Sequence, residues 1–460
     1  GAGVLIDGGN ALTLDTSGSG ALDPTASLQA RNYDVAGSVI NIGGGSSGIS
    51  LNSAMLANFN AADSVRLRSA TVINLYDNAN DGGNLTIGAD SAHPINTLIF
   101  DSAGLFSHGG RTSVNATNIS LANSRGVTGT GTAISGSGGT LTLNASDTLT
   151  EDLGAKTIGG VGQVVLTAKR AIGFSGTGSL NAGAANMQLL APVLLVNSGA
   201  TQSVTTTGAV NLMTGAGTAP ATVASNIGGA LSITGGSFTD SARIQARSGN
   251  VSLIATAGDV ELGSGASIDA SGSEVTVLDV VKDAPGGKVR LVSSTGNVLI
   301  DNGASVDVSG VGIGFAGSLT MQAPGVVRLA GTLDGHAAYK DLGGNFTLNA
   351  GTLESGSQLP TSFTGSIAVT LQQGDIVIGN AAGARALALN AGQIMLDAEN
   401  GSVQVYGSGD ASNPANQFTV LDASGLNGQI SLYGSNGVSI GAGTRLTAAW
   451  LADDPRNPNY

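Results

Sequence analysis

The sequence predicts an all-β chain, a right-handed parallel β-helix (solenoid) with about 20–24 residues per coil and loop insertions. Three observations predict it. A strand-turn pattern repeats along the chain, glycine supplies 73 of 460 residues, and charged residues fall to 11% while apolar ones stay at 41%. A disordered Gly/Ser-rich chain would lack that apolar share. Few Glu, Lys and Arg and many Gly, Ser, Thr, Asn and Val argue against helices.

The repeat is clearest in two segments. Gly249–Gly272 reads GNVSLIATAGDVELGSGASIDASG and Gly287–Gly310 reads GKVRLVSSTGNVLIDNGASVDVSG, identical at eleven of 24 positions without a gap. Val251 and Leu253, then Val260 and Leu262, then Ile268 and Ala270 alternate with polar residues, so each pair marks a short strand with one face inward. Gly, Ser, Asn and Asp between them suit sharp turns. Three strands per unit, with no helical crossover, make one triangular coil. Each strand pairs with its equivalent about 4.8 Å away on the next coil. A lone coil cannot bury its Val, Leu and Ile, but a stack can. Gly365–Ile378 and Gly392–Val405 keep the spacing, Gly428–Ala448 is one residue shorter, and Gly9–Ala30 keeps the rhythm more loosely. A single continuous shaft is expected over 1–450, with insertions near 273–286, 334–343, 353–364 and 409–417 and an irregular tail at 451–460. Loops leaving a rigid scaffold are where any recognition would sit, but the first expectation for these four is that they are tolerated surface insertions.

The motifs of Gly249–Gly310, with GDIVIG at Gly374–Gly379 and GAGTRLTA at Gly441–Ala448, resemble the filamentous-haemagglutinin family of exoproteins, the secreted partners of Gram-negative two-partner secretion systems. That resemblance implies a right-handed β-helix, export through an outer-membrane β-barrel transporter, and a role in adhesion or biofilm formation. The family's Asn-Pro-Asn motif lies in an amino-terminal secretion domain. Asn457-Pro458-Asn459 stands at the opposite end of this chain, so its role is not carried over. The chain begins Gly-Ala-Gly without Met or signal peptide and is expected to be an interior piece of a longer polypeptide.

No cysteine occurs, which excludes disulfides, thiolate metal sites and a cysteine nucleophile. A net charge of −13 with scattered cations argues against nucleic acid. No apolar run is long enough for a membrane span.

Motifs that carry chemistry elsewhere find no supporting context. Gly44–Gly48 matches G-x-S-x-G, but a strand follows where a nucleophile elbow needs a helix. Gly312–Gly317 matches G-x-G-x-x-G and again leads into a strand. His93, His108 and His336 lack a shared carboxylate cluster. Asp77–Gly82 resembles a calcium loop with Ala79 at a ligand position and Gly88 where a bidentate Glu belongs, so only adventitious Ca²⁺ is expected. Asp279, Lys282, Asp283, Asp301 and Asp307 are the nearest approach to the charged cluster of a polysaccharide lyase or hydrolase. Asp269 and Asp307 share one repeat position, which marks turn residues. Trp450 is the single tryptophan, a thin basis for sugar stacking.

The sequence therefore predicts a non-enzymatic structural and adhesive shaft, secreted or at the bacterial cell surface. No catalytic, cofactor-binding or metal residue is assigned. Extracellular polysaccharide or a surface receptor is the expected partner. The alternatives are the stem of a toxin-delivery exoprotein and a polysaccharide-active β-helix enzyme.

Overall fold

A computed structural model describes residues 3–16, 22–23, 25–45, 47–76, 83–108, 110–127, 138–222, 226–379, 389–407, 418–424 and 428–448. The chain is a parallel β-helix, with 58% of its residues in strands and 2% in helix. Contacts divide it into two compact units. The first is Gly1–Thr222 with Ala230–Phe238 and Ala242–Ile244; the second is Val223–Gly229, Thr239–Ser241 and Gln245–Tyr460.

In the second unit the repeat stacks as its alternation requires. One column of inward residues runs Val251, Val289, Leu319, Phe346, Ile367, Ile394 and Ile430, each in parallel register with the next. A second column holds Val260, Val298 and Val327, and further along Ile376, Val403 and Val438. A third holds Ile268, Val306 and Leu333, then Leu389, Leu421 and Leu446. Three strands per coil thus give three faces. Val251, Val289, Val298 and Ile268 are buried, so the apolar side chains form one column inside the stack.

Turns are tied from coil to coil by polar side chains. Asp259 Oδ1 accepts from the backbone and side-chain amides of Asn297 at 2.7 and 3.0 Å, and Asn297 Oδ1 accepts from Val326 N at 2.7 Å. Asp269 and Asp307 each accept the N–H two residues on. They are turn residues, as their shared repeat position suggests.

In the first unit the stack is equally regular in its middle. Leu141, Val164, Met187 and Val210 recur in register every 23 residues. The early strands differ from the expected short segments. Leu5–Thr16 and Ser27–Ile42 run around a corner as single long strands, with a register shift at Gly37/Val39. A bulge there turns the backbone without ending the strand. The helix Ser53–Asn58 was not legible; Asn52 Oδ1 caps it by accepting from Met55 N at 2.9 Å.

The coil between Phe346 and Ile367 keeps 21 residues, whereas insertions lengthen others beyond 20–24, up to 38 between Val251 and Val289. The segment expected near 273–286 is a β-hairpin, Ser273–Val277 antiparallel to Val280–Ala284, forming a two-stranded sheet of its own. The segment 334–343 leaves after the strand Thr332–Asp334 and contains a short 3₁₀ turn at Lys340–Leu342. The segment 353–364 returns to the interior, where Leu359 and Phe363 are buried. Residues 409–417 and 451–460 lie outside the described residues, as does Trp450.

Candidate functional site

The candidate motifs are dispersed and individually engaged. His93 Nδ1 meets Asp90 at 2.9 Å, His336 Nδ1 meets Asp334 at 2.8 Å, and His108 stacks on Tyr76 with centroids 3.9 Å apart. Gly45 and Gly48 sit in left-handed conformations ahead of the strand Ile49–Leu51, and Gly312 does so ahead of Ser318–Leu329. Gly312–Gly317 is therefore a turn between strands, whereas Ser46 of the first motif lies outside the described residues. Asp77–Gly82 lies outside the described residues. Of the charged cluster, Asp283 Oδ2 accepts from Ile313 N at 2.8 Å, while Asp301 pairs with Arg328 at 2.7 Å. Asp279 occupies the hairpin turn. Asp283 and Asp301 serve separate structural contacts. Among the described residues no group of three or more His, Cys, Asp or Glu side chains is placed to hold a metal, and no helix is long and apolar enough to cross a membrane.

Two surface features of the second unit stand apart. The first is the hairpin. Leu278 and Asp279 form its turn with φ of 47° and 62°. Two successive left-handed residues define the tight hairpin turn that Asn-Gly ordinarily fills, and a leucine there is strained. Leu278 is 93% exposed, Val281 59% and Val280 50%. Beside the hairpin root, where Gly286 N donates to Phe315 O, Ile313 and Phe315 are also exposed.

The second feature is a groove of about 430 Å³ on the outward side of the first column. Its walls come from five successive coils. Ile254, Val292, Gln322 and Asn349 are register partners along one outward row, and Arg290 and Gln372 join them. The rungs repeat every 4.7–4.9 Å, so the register partners Gln322 and Asn349 lie one rung apart, while Gln372 stands two residues beyond Thr370, the register partner of Asn349. Lys288 and Arg290 point outward on the same strand. Neither belongs to an ion pair among the described residues, whereas Arg31, Arg66, Arg68, Lys156, Arg170, Arg328 and Lys340 all do. The groove escaped sequence reasoning because its residues are spread over Ile254–Gln372. Only the coil register assembles them. An available signal was Lys288 and Arg290 at outward positions of a repeat that has Asn250 and Ser252 there one coil earlier.

A buried ion pair lies in the first unit. Glu151 and Lys156 stand at inward positions that Phe174 and Leu180 fill on the next coil. Their charged atoms approach to 2.8 Å, and Lys156 Nζ also donates to the carbonyls of Asp152, Leu153 and Gly154. Burial pushes the Glu151 carboxyl up to about 7, against the opposing pull of the Lys156 ammonium. The sequence signal was parity: Leu149 is inward, so Glu151 must be too.

Comparison of the chain with family models, curated proteins and solved structures gives no match.

Proposed function

We propose that this chain is a non-enzymatic structural and adhesive shaft segment of a secreted or surface-displayed bacterial protein. The observation that carries this reading is the hairpin Ser273–Ala284, which sets large apolar side chains in water on an ordered scaffold. Exposed apolar clusters of this kind mark interaction surfaces. A strained leucine at the tip is costly to keep unless the tip is used. The stacked coils contribute stiffness, because each rung is hydrogen-bonded to its neighbours and its interior side chains interlock. The resemblance to filamentous-haemagglutinin exoproteins supports export through an outer-membrane β-barrel transporter and a role in attachment or biofilm formation.

Beads coated with the purified chain are expected to adhere to bacterial or host-cell layers above the level of uncoated beads. The double variant Leu278→Asp/Val281→Asp is expected to lose about tenfold or more of that adhesion, as when central apolar anchors are removed. Its far-UV spectrum should be unchanged, since the hairpin pairs only with itself. No new reducing or unsaturated sugar ends are expected from a panel of polysaccharides. Adhesion equal to that of uncoated beads, or turnover of any glycan, would overturn the reading.

A further inference from the structure

We infer that the outward groove lined by Arg290, Gln322, Asn349 and Gln372 binds a linear polysaccharide that carries uronic-acid carboxylates. This deepens the adhesive reading and rests on it, but it concerns a surface separate from the hairpin tip.

The groove offers three kinds of group in one line. Ile254 and Val292 supply an apolar floor, with Pro324 beside them. Gln322, Asn349 and Gln372 are exposed on consecutive coils, and each carboxamide offers both donors and an acceptor. Among the described residues no hydrogen bond occupies the side-chain amides of Gln322 and Asn349, and both side chains are exposed. Lys288 and Arg290 bring positive charge to one end in a chain of net charge −13.

That combination suits a sugar chain better than a peptide. The backbone N–H and C=O groups of these rungs are committed to the ladder on both sides, so no edge remains for strand addition. Specificity must come from side chains. The amides of Gln322 and Asn349 on adjacent rungs match neighbouring hydroxyl groups of a sugar chain, and the apolar floor matches the C–H faces of pyranose rings. A volume of about 430 Å³ lies in the ordinary range of ligand pockets.

Charge narrows the class further. A planar guanidinium grips a carboxylate through two parallel hydrogen bonds, and such charge-assisted bonds are the strong ones. Five of the eleven described arginines, Arg31, Arg66, Arg68, Arg170 and Arg328, are held by aspartate or glutamate. Arg290 is not, and Lys288 lies two residues away on the same face. A neutral glycan would leave both unused. The overall negative charge repels polyanions at long range, so a uronate chain is retained only where it reaches these two cations, within a Debye length of roughly 8–10 Å.

The test is affinity electrophoresis and calorimetry of the whole chain with polygalacturonate oligosaccharides, neutral dextran and dextran sulfate. Polygalacturonate is expected to bind and dextran not. Arg290→Gln is expected to weaken binding at least about tenfold, the scale of a lost charge-assisted contact. Gln322→Ala/Asn349→Ala should weaken it by a smaller factor, and Arg111→Gln in the first unit should leave it unchanged. All these side chains are exposed, so the unfolding midpoint should not move. No binding of polygalacturonate, equal binding of dextran, preference for dextran sulfate, or unaltered binding by Arg290→Gln would each overturn the inference. Adhesion lost through Leu278→Asp/Val281→Asp would still stand in every one of those cases, so the two failures are distinguishable.

Discussion

Lys156→Met is expected to cost about 3–5 kcal/mol at pH 8, as removal of one partner from a buried ion pair does. Glu151 is 1% exposed and Lys156 6%, so neither can turn to water. Without the ammonium, the Glu151 carboxylate would be left charged among apolar neighbours. The cost depends on pH in a defined direction. Glu151 is raised from 4.5 to about 7 in the folded chain, so the folded state binds its proton more tightly than the unfolded state does. The resulting stability is fully present below about pH 4.5 and is lost as pH rises through 7. Wild-type urea midpoints should therefore fall between pH 5 and 8. The Lys156→Met penalty should shrink to below about 1 kcal/mol at pH 5, where the carboxyl is protonated in either chain. Replacing both residues by leucine should be neutral or stabilising, because the next coil already places Phe174 and Leu180 at these positions. Equilibrium urea unfolding of the three proteins at the two pH values checks the set. A Lys156→Met penalty independent of pH would rule out this origin.

Phe346→Ala should cost about 3–5 kcal/mol, the range for deleting a buried aromatic ring. Phe346 is fully buried, pairs in register with Leu319 and Ile367, and lies 5.6 Å from the ring of Phe363. Gly335 lies against Phe363 so closely that an added Cβ would fall 2.5 Å from the ring. The site has little freedom to collapse, and a cavity there persists. Phe346→Leu, which keeps most of the volume, should cost about 1 kcal/mol. Urea midpoints measure both. An alanine penalty below about 1 kcal/mol would mean that the ring does not fill the interior.

The coil was legible where local chemistry and global fold agree. In Gly249–Gly310 the alternation of Val251, Leu253, Val260, Leu262 and Ile268 set the inward face, and the eleven shared identities set the register one coil on. The hairpin was legible as an insertion but not as a hairpin, since Leu278-Asp279 is not a turn sequence that propensity would choose. The early long strands were obscured because their glycines, at the register shifts Asp7/Gly9 and Gly37/Val39, form bulges within a strand and do not end it. Glu151 and Lys156 carry no motif; parity alone makes them inward. The groove depends on residues brought together over five coils, and no local pattern announces that. Fold was readable from period, whereas the candidate site arises from register.

That register is open to direct measurement, helped by the absence of native cysteine. Glu261 and Leu299 are outward partners on adjacent rungs of the second column. At a rung spacing of about 4.8 Å their Cα atoms fall within the range a disulfide spans. Glu261→Cys/Leu299→Cys is expected to close an intramolecular disulfide under mild oxidation, seen by mass and by mobility on a non-reducing gel. Glu261→Cys/Ser305→Cys, which pairs different columns, is expected to stay reduced. A stack of coils in this register requires that result; an open first pair, or a second pair that closes as readily, would contradict it.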